Sequence, residues 1–281
     1  MIRGVVLAAL VALGCGGDRI VVGAKNFTEQ RLVGELVAQA IEQAGLRVER
    51  RFDLSGSFVC DAALRAGQLD VYVEYTGTAL TAILKLPPAS DAAAVLEAVR
   101  RAYSPAGLVW TEPLGFDNTF AMVVRADAPA STLSASVAPA TRWIAGFGYE
   151  FAGRPDGYPA LRKTYGLGFA EVRTMDLGLL YRALVDRQID VAAGNATDGL
   201  IDALNLRVLA DDRHAFPPYE AVPVVRQVAL DHTPPLGPAL ASLAGRVSAA
   251  AMRRMNRAVD GDHEQPADVV RAFLTGRKDG T

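Results

Sequence analysis

Only two cysteines and three histidines occur among the 281 residues. Cys15 and Cys60 show no zinc-type spacing, and their flanks give no sign of a disulfide framework. His214, His232 and His263 lie far apart, and none belongs to a ligand-spaced motif. An enzyme would therefore lack the usual metal site or acid–base pair. Glycine-rich phosphate loops are missing too, since Gly14-Cys15-Gly16-Gly17 leads into Asp18 rather than Lys-Ser/Thr. There is no excess charge of either sign: 29 Lys and Arg stand against 31 Asp and Glu, a net −2. A nucleic-acid binder needs a basic stripe, and Lys and Arg are scattered here. No apolar run approaches the roughly 18 residues of a membrane span. What remains is a globular composition, 51% hydrophobic and 21% charged, in a chain long enough for two domains.

Residues 1–15 form a unit of their own. Arg3 gives a positive start, Val5 to Leu13 a short apolar core, and Leu13-Gly14-Cys15 closes it. This is the make-up of an export signal, too short to cross a bilayer. A cysteine directly after the apolar core is similar to a bacterial lipobox. On that reading Cys15 carries lipid and Gly16-Gly17-Asp18 is a tether. An ordinary secretory signal and a buried N-terminal segment are the other readings. Cys60, in the helical stretch Ser57 to Leu64, is expected as a small buried apolar group.

One pattern is written twice. Phe52-Asp53-Leu54-Ser55-Gly56 enters a helix, followed by Arg65-Ala66-Gly67-Gln68-Leu69-Asp70-Val71 and Tyr75-Thr76-Gly77. Roughly 120 residues later, Met175-Asp176-Leu177-Gly178 enters another helix. Asp186-Arg187-Gln188-Ile189-Asp190-Val191 and Asn195-Ala196-Thr197-Asp198-Gly199 then follow. Asp70 precedes Tyr75 by the spacing at which Asp190 precedes Asn195, and Phe58 and Tyr181 are expected in matching places. An α/β unit used twice implies two similar lobes, and two facing lobes imply a cleft for a ligand.

Strand and helix signals alternate, as in a mostly parallel sheet. Ile20 to Ala24 reads as a strand, Thr28 as the N-cap of a helix from Glu29 to about Ala44, and Val48 to Phe52 as the next strand. A helix from Ser57 and a strand from Leu69 to Val73 follow. Ligands in such sheets sit beyond the carboxyl ends of strands, where Lys25, Ser55 and Tyr75 fall. Asn118 to Val124 carries the chain into a second lobe, and Val222 to Val228 brings it back. The expected fold class is therefore α/β and two-lobed, with lobe 1 spanning 19–118 plus 220–281 and lobe 2 spanning 119–219.

Five motifs carry a resemblance: Lys25-Asn26-Phe27-Thr28-Glu29-Gln30, Tyr72-Val73-Glu74-Tyr75-Thr76-Gly77-Thr78, Asn118-Thr119-Phe120, Arg154-Pro155-Asp156-Gly157 and Thr197-Asp198-Gly199. In this order, from about Ile20 to Leu274, the chain resembles the osmoprotectant-binding proteins. These are the substrate-binding components of ABC importers for glycine betaine, choline, carnitine and related quaternary amines. The resemblance implies a type II periplasmic-binding-protein fold that closes about a two-strand hinge. It also implies capture without catalysis or cofactor, by a monomer outside the cytoplasm, to which the lipobox-like end adds the expectation of a lipid anchor. The partners it implies are permease membrane subunits with their ATPase. The same fold serves as the sensor half of transcription regulators, but no helix-turn-helix precedes it here.

A quaternary ammonium has no N–H and is held by aromatic faces through cation–π attraction. The family positions for such a box fall on Tyr75, Phe120, Asn195 and Tyr219, so Asn195 leaves one wall without a ring. Lys25, Thr78 and Arg154 fall where the resemblance implies carboxylate binding, a role that suits the arginine fork. Each also has a structural reading. Tyr75 reads as a core residue or, beside Glu74 and Thr76, as part of a polar loop on the ligand. Tyr219 reads as a loop anchor, Phe120 as core, Asn195 as a turn cap, Arg154 as the partner of Asp156, and Lys25 as a surface residue. Tyr149, Tyr158 and Tyr181 are spare rings for the missing wall. The missing ring also leaves open a bulkier betaine or amino-acid-like zwitterion, such as ergothioneine, as the ligand.

Overall fold

The computed structural model describes residues 19–148 and 151–276. The signal-like segment with Cys15, and Tyr149, lie outside the described residues. The first part of the chain supplies β1 (Ile20–Lys25), β2 (Val48–Leu54), β3 (Val71–Tyr75) and β4 (Leu108–Trp110). It then crosses to lay down β5 (Phe120–Arg125), β6 (Ile144–Phe147), β7 (Glu171–Thr174), β8 (Val191–Asn195) and β9 (Leu206–Leu209), and returns as β10 (Ala221–Arg226). The strands form two five-stranded sheets, ordered β2-β1-β3-β10-β4 and β7-β6-β8-β5-β9. In each, three strands run parallel, and the strand that arrives from the crossing is antiparallel to its neighbours.

The two sheets are one plan used twice, and strand register fixes the equivalences. Gly23 pairs with Tyr72 as Gly146 pairs with Ala192, and Tyr75 faces Ala221 as Asn195 faces Phe120. Asp70 Oδ2 accepts the backbone N–H of Val21, and Asp190 Oδ2 that of Ile144, both at 2.9 Å. Their other oxygens take Arg226 at 3.2 Å and Arg125 at 3.1 Å. Each aspartate thus ties a strand start to the end of the crossing strand. A Cβ at Gly23 or Gly146 would meet the ends of Leu69 and Ile189, buried side chains that would have to repack.

Helices cover both faces. The helix Thr28–Gln43 buries Leu32, Val33, Leu36, Val37, Ala40 and Ile41, an i, i+4 stripe wide enough to seal one face of the first sheet. Thr28 is the first residue of this helix rather than its cap; the cap position falls on Phe27, and the Thr28 hydroxyl donates to Asp260 instead. β3 extends to Tyr75, two residues past the predicted end, because Tyr75 still pairs with Ala221. The helices Ser57–Arg65 and Leu177–Val185 hold the spacing of the aspartates, which sets Tyr181 against Asp61 and not Phe58. Burial agrees: Phe58 is 60% exposed and Tyr181 only 4%. Cys60 is a buried free thiol.

Two antiparallel segments join the lobes. Asp117 bridges Glu220, Asn118 N donates to Tyr219 O at 3.1 Å, and Ala221 N to Phe116 O at 3.2 Å. The tail adds a further link. The helix Ala249–Asp260, capped by Ser248 through Ala251 N at 3.1 Å, reaches the second lobe. Arg253 donates to Ala196 O at 2.8 Å, and Asn256 Nδ2 to Thr197 O at 2.8 Å. Gly199 is needed there, since a Cβ would strike the backbone of Arg257. The paired aspartates yield a prediction. Asp70→Ala and Asp190→Ala should each cost about 1–3 kcal/mol through a stranded backbone donor, read by urea unfolding. A cost below about 0.5 kcal/mol at both sites would show that neither aspartate holds its sheet.

Candidate ligand-binding cleft

The strand ends that face the gap between the lobes carry the candidate residues. Lys25 ends β1, Tyr75 ends β3 and Asn195 ends β8, while Phe120 begins β5. Tyr219 lies on the returning hinge segment, Thr78 in the turn after β3, and Arg154 in the loop after β6. All seven line a single cavity of about 330 Å³, together with Phe27, Gly56, Ser57 and Asn118. A larger cavity of about 600 Å³ adjoins it in the second lobe and shares Phe120, Arg154 and Asn195.

The lobe-1 wall is buried and internally paired. Lys25 Nζ donates to Glu74 Oε1 at 2.6 Å and to Ser57 Oγ at 3.0 Å, and lies 4.6 Å from the Tyr75 ring centroid. Lys25 is thus no surface residue. The Tyr75 hydroxyl donates to Glu29 Oε1 at 2.5 Å. Thr76 Oγ1 faces Pro218 O at 3.3 Å and accepts from Glu220 N at 3.1 Å. Glu74, Tyr75 and Thr76 are all buried, so the segment is a strand end with satisfied polar groups, not an exposed polar loop. Burial raises the Glu29 carboxyl above the usual range, against the bonds it accepts from Thr197, Tyr75 and Asn256.

The lobe-2 wall is organised by Asp156. It takes Arg154 in a two-point pair, Nε to Oδ1 at 2.9 Å and Nη2 to Oδ2 at 2.7 Å, and the Tyr219 hydroxyl at 2.8 Å. Burial opposes the charge of Asp156, but these donors outweigh it and hold the carboxyl below its ordinary range. Arg154 stacks over Phe120 with 5.1 Å from guanidinium carbon to ring centroid. Phe120 also packs edge-on against Phe151, Phe216 and Tyr219 at 5.2, 5.8 and 6.2 Å. It is both cavity wall and lobe-2 core. Asn195 closes the turn to Asp198 through its carbonyl, which accepts Asp198 N at 3.2 Å, while Asp198 caps the next helix by accepting Leu200 N at 3.0 Å.

The profile described as the substrate binding domain of ABC-type glycine betaine transport system matches residues 18–276. The chain belongs to this family. The glycine-betaine-binding protein of Pseudomonas aeruginosa is 34% identical to it, over 95% of this chain and 91% of that protein. The Helicobacter pylori protein named ergothioneine transport permease/ergothioneine binding protein EgtU is 29% identical over 91% of this chain and 47% of its own. A crystal structure of a glycine betaine/carnitine/choline ABC transporter protein superposes with a TM-score of 0.88 at 30% identity, covering 92% and 98% of the two chains. The two-lobed α/β fold is that of this class of binding protein.

Phe27, Ser57 and Asn118 line the binding protein's cleft without having been assigned a ligand role from sequence, although Phe27 and Asn118 lie in motifs that carry the resemblance. Phe27 is 41% exposed, and its place directly beyond β1 was the available signal. Tyr158 packs against Phe147 and Phe169 at 5.1 and 5.6 Å and does not line the cleft cavity. Tyr181 lines the larger cavity. Among the described residues no His/Cys/Asp/Glu cluster is arranged to hold a metal ion.

The hinge carries a titrating group. Burial pushes the Asp117 carboxyl up to about 6, although the backbone N–H groups of Tyr219 and Thr119 oppose the shift. The folded chain therefore binds this proton more tightly than the unfolded chain, whose value is about 3.9. The resulting stability is full below about pH 4 and is lost as pH rises through about 6. Asp117→Asn keeps an oxygen for Tyr219 N. It should melt higher than the parent at pH 7.5, with the advantage shrinking as pH falls to 4. A pH-independent difference in melting temperature would contradict this.

Proposed function

We propose that the protein captures a small quaternary-ammonium zwitterion of the glycine betaine kind between its lobes and delivers it to a membrane permease driven by an ATPase. The observation that carries this reading is the convergence of Lys25, Tyr75, Thr78, Phe120, Arg154, Asn195 and Tyr219 on one cavity. Rings and a guanidinium stand side by side there, as a ligand with both charges requires. The rings of Tyr75, Phe120 and Tyr219, joined by Phe27, take the ammonium at about 0.5–2 kcal/mol per contact. Arg154, steadied by Asp156, takes the carboxylate together with Thr78. Lys25 sets the field at the floor and, being paired with Glu74, contributes less to an anion. Nothing in this scheme breaks a bond, and the role is binding rather than catalysis.

We take residues 19–118 plus 220–281 as lobe 1 and 119–219 as lobe 2, so that closure bends the paired hinge segments. Import requires a place outside the cytoplasm. An export signal with lipid on Cys15 fits that requirement, and a monomer suffices. A larger betaine is the second reading. It is favoured by Asn195 standing where the repeat places Tyr75, and by the named ligand of the Helicobacter relative.

Isothermal titration with glycine betaine and choline tests the assignment. Arg154→Ala should weaken glycine betaine by about tenfold or more, the loss of a charged hydrogen bond worth about 1.5–3 kcal/mol. Choline has no carboxylate and should change by less than about threefold. Tyr75→Leu should weaken both by about 2- to 30-fold. Equal losses in the Arg154 variant would remove it from the carboxylate, and no binding of any quaternary amine would overturn the reading.

A further inference from the structure

The motif Lys25-Asn26-Phe27-Thr28-Glu29-Gln30 holds a buried carboxyl group to which the cleft scheme gives no task. Glu29 stands in the first turn of the helix Thr28–Gln43 and is 5% exposed. Its Oε1 takes the Tyr75 hydroxyl at 2.5 Å, a length usual for a hydroxyl on a charged carboxylate. Its Oε2 takes Asn256 Nδ2 at 3.2 Å, and the Thr197 side chain bonds it as well. These three partners are neutral. The two cations that line the cleft are each paired with another carboxylate, Lys25 with Glu74 and Arg154 with Asp156. Lys25 also favours the charge of Glu29, but it is committed to Glu74 and Ser57. Glu29 is thus a carboxyl group held by neutral donors at the far end of a cleft ring.

We propose that Glu29 is a positioning residue that supplies the counter-charge for the ligand's ammonium, acting on it through the Tyr75 ring. The inference rests on the cleft reading above and adds to it a means of selecting for positive charge. Two effects run the same way. A carboxylate on the phenol hydroxyl orients the ring and makes its face more electron-rich, which strengthens a cation–π contact. The carboxylate also attracts the ammonium directly across the length of one ring, in a buried setting where salt screens weakly. The ring needs this help, because Lys25 Nζ already lies 4.6 Å from its centroid and repels a second cation. Burial raises the Glu29 carboxyl above its ordinary range, while its hydrogen bonds and Lys25 hold the rise back. Asp198 and Asp260, of like charge, line with it a cavity of about 210 Å³, and Glu74 stands beyond Lys25. An arriving ammonium favours the ionised form, so Glu29 gives its proton to solvent as the ligand binds. Affinity for an ammonium therefore rises with pH until Glu29 is ionised in the empty protein.

The test is calorimetric titration of the purified protein with glycine betaine and with 3,3-dimethylbutanoate, which keeps the shape and the carboxylate but has carbon in place of the ammonium nitrogen. Glu29→Gln keeps an oxygen for the Tyr75 hydroxyl and removes the charge. The parent should prefer glycine betaine, and the variant should narrow that preference about tenfold, with dimethylbutanoate changed by less than about threefold. Titrations in phosphate and in Tris, whose heats of ionisation differ, count the protons released. The parent should release protons to glycine betaine and bind it more tightly as pH rises from about 5 to about 8; the variant should do neither. Equal losses for both compounds, or proton release that survives in the variant, overturns the role of Glu29 and leaves the cleft assignment intact. A parent that releases no proton anywhere in that range overturns it too, whether or not the variant folds. Failure of the parent to bind glycine betaine at all overturns the cleft reading, and this inference with it.

Discussion

At the floor of lobe 1 a lysine and a glutamate are buried together, and the cleft is arranged around them. The side chains of Lys25 and Glu74 are 4% and 0% exposed. Taking two ions out of water is recovered only when their remaining donors and acceptors are also used. Glu74 Oε1 takes the Tyr75 backbone N–H at 2.8 Å as well as Lys25. Lys25 adds Ser57 and the face of Tyr75. One pair therefore pins the ends of β1 and β3, the start of the helix Ser57–Arg65, and the orientation of a cleft ring. Breaking one side of such a pair typically costs about 3–5 kcal/mol. The pair is neutral overall. The Arg154–Asp156 pair is neutral as well, but the Arg154 side chain is 41% exposed against 4% for Lys25, so an anion in the cleft meets the arginine more readily.

The second lobe repeats the frame without the filling. Asp190 and Gly146 do for its sheet what Asp70 and Gly23 do for the first. The framework residues are those whose replacement would strand a backbone donor or create a clash, and they agree between the lobes. The residues at the strand tips do not, because nothing in sheet formation depends on them. Divergence at the tips turns two equivalent half-sites into one wall with a buried ion pair at its floor and one with a more open space lined by Tyr181 and Asp198.

Much of this was legible in the sequence, and the exceptions have causes. Strand and helix order followed from apolar periodicity, and the repeat was visible because Asp70 and Asp190 are tied to the frame. Tyr75 was harder: Glu74 and Thr76 look like loop residues until Lys25 and Pro218, distant in sequence, are brought beside them. The match of Phe58 to Tyr181 failed because both are aromatic, whereas register is set by buried Leu64 and Leu184 and by the aspartates. The link from Arg253 and Asn256 to lobe 2 carried no local signature at all, since a helix face gives no sign of which lobe it meets.

The links between the lobes decide which ligand contacts can drive closure. Asn256, Thr197 and Asn118 lie together at the hinge, with Thr197 Oγ1 2.9 Å from Asn118 Oδ1. Contacts so near the axis change little when the lobes part. Arg154 and Asp156 sit on the loop after β6 in lobe 2, tethered to the hinge by the Tyr219 hydroxyl. A ligand shifts the open–closed balance only by contacts that differ between the two states. An ammonium on Tyr75 alone touches one lobe in both states. A zwitterion that also places its carboxylate on Arg154 touches both lobes only when they are closed. On the proposed binding mode, an asparagine instead of a ring at position 195 costs about 0.5–2 kcal/mol of ammonium affinity but leaves the closing contact in place. On the binding mode proposed above, the arginine contact and not a complete aromatic box is what closure requires.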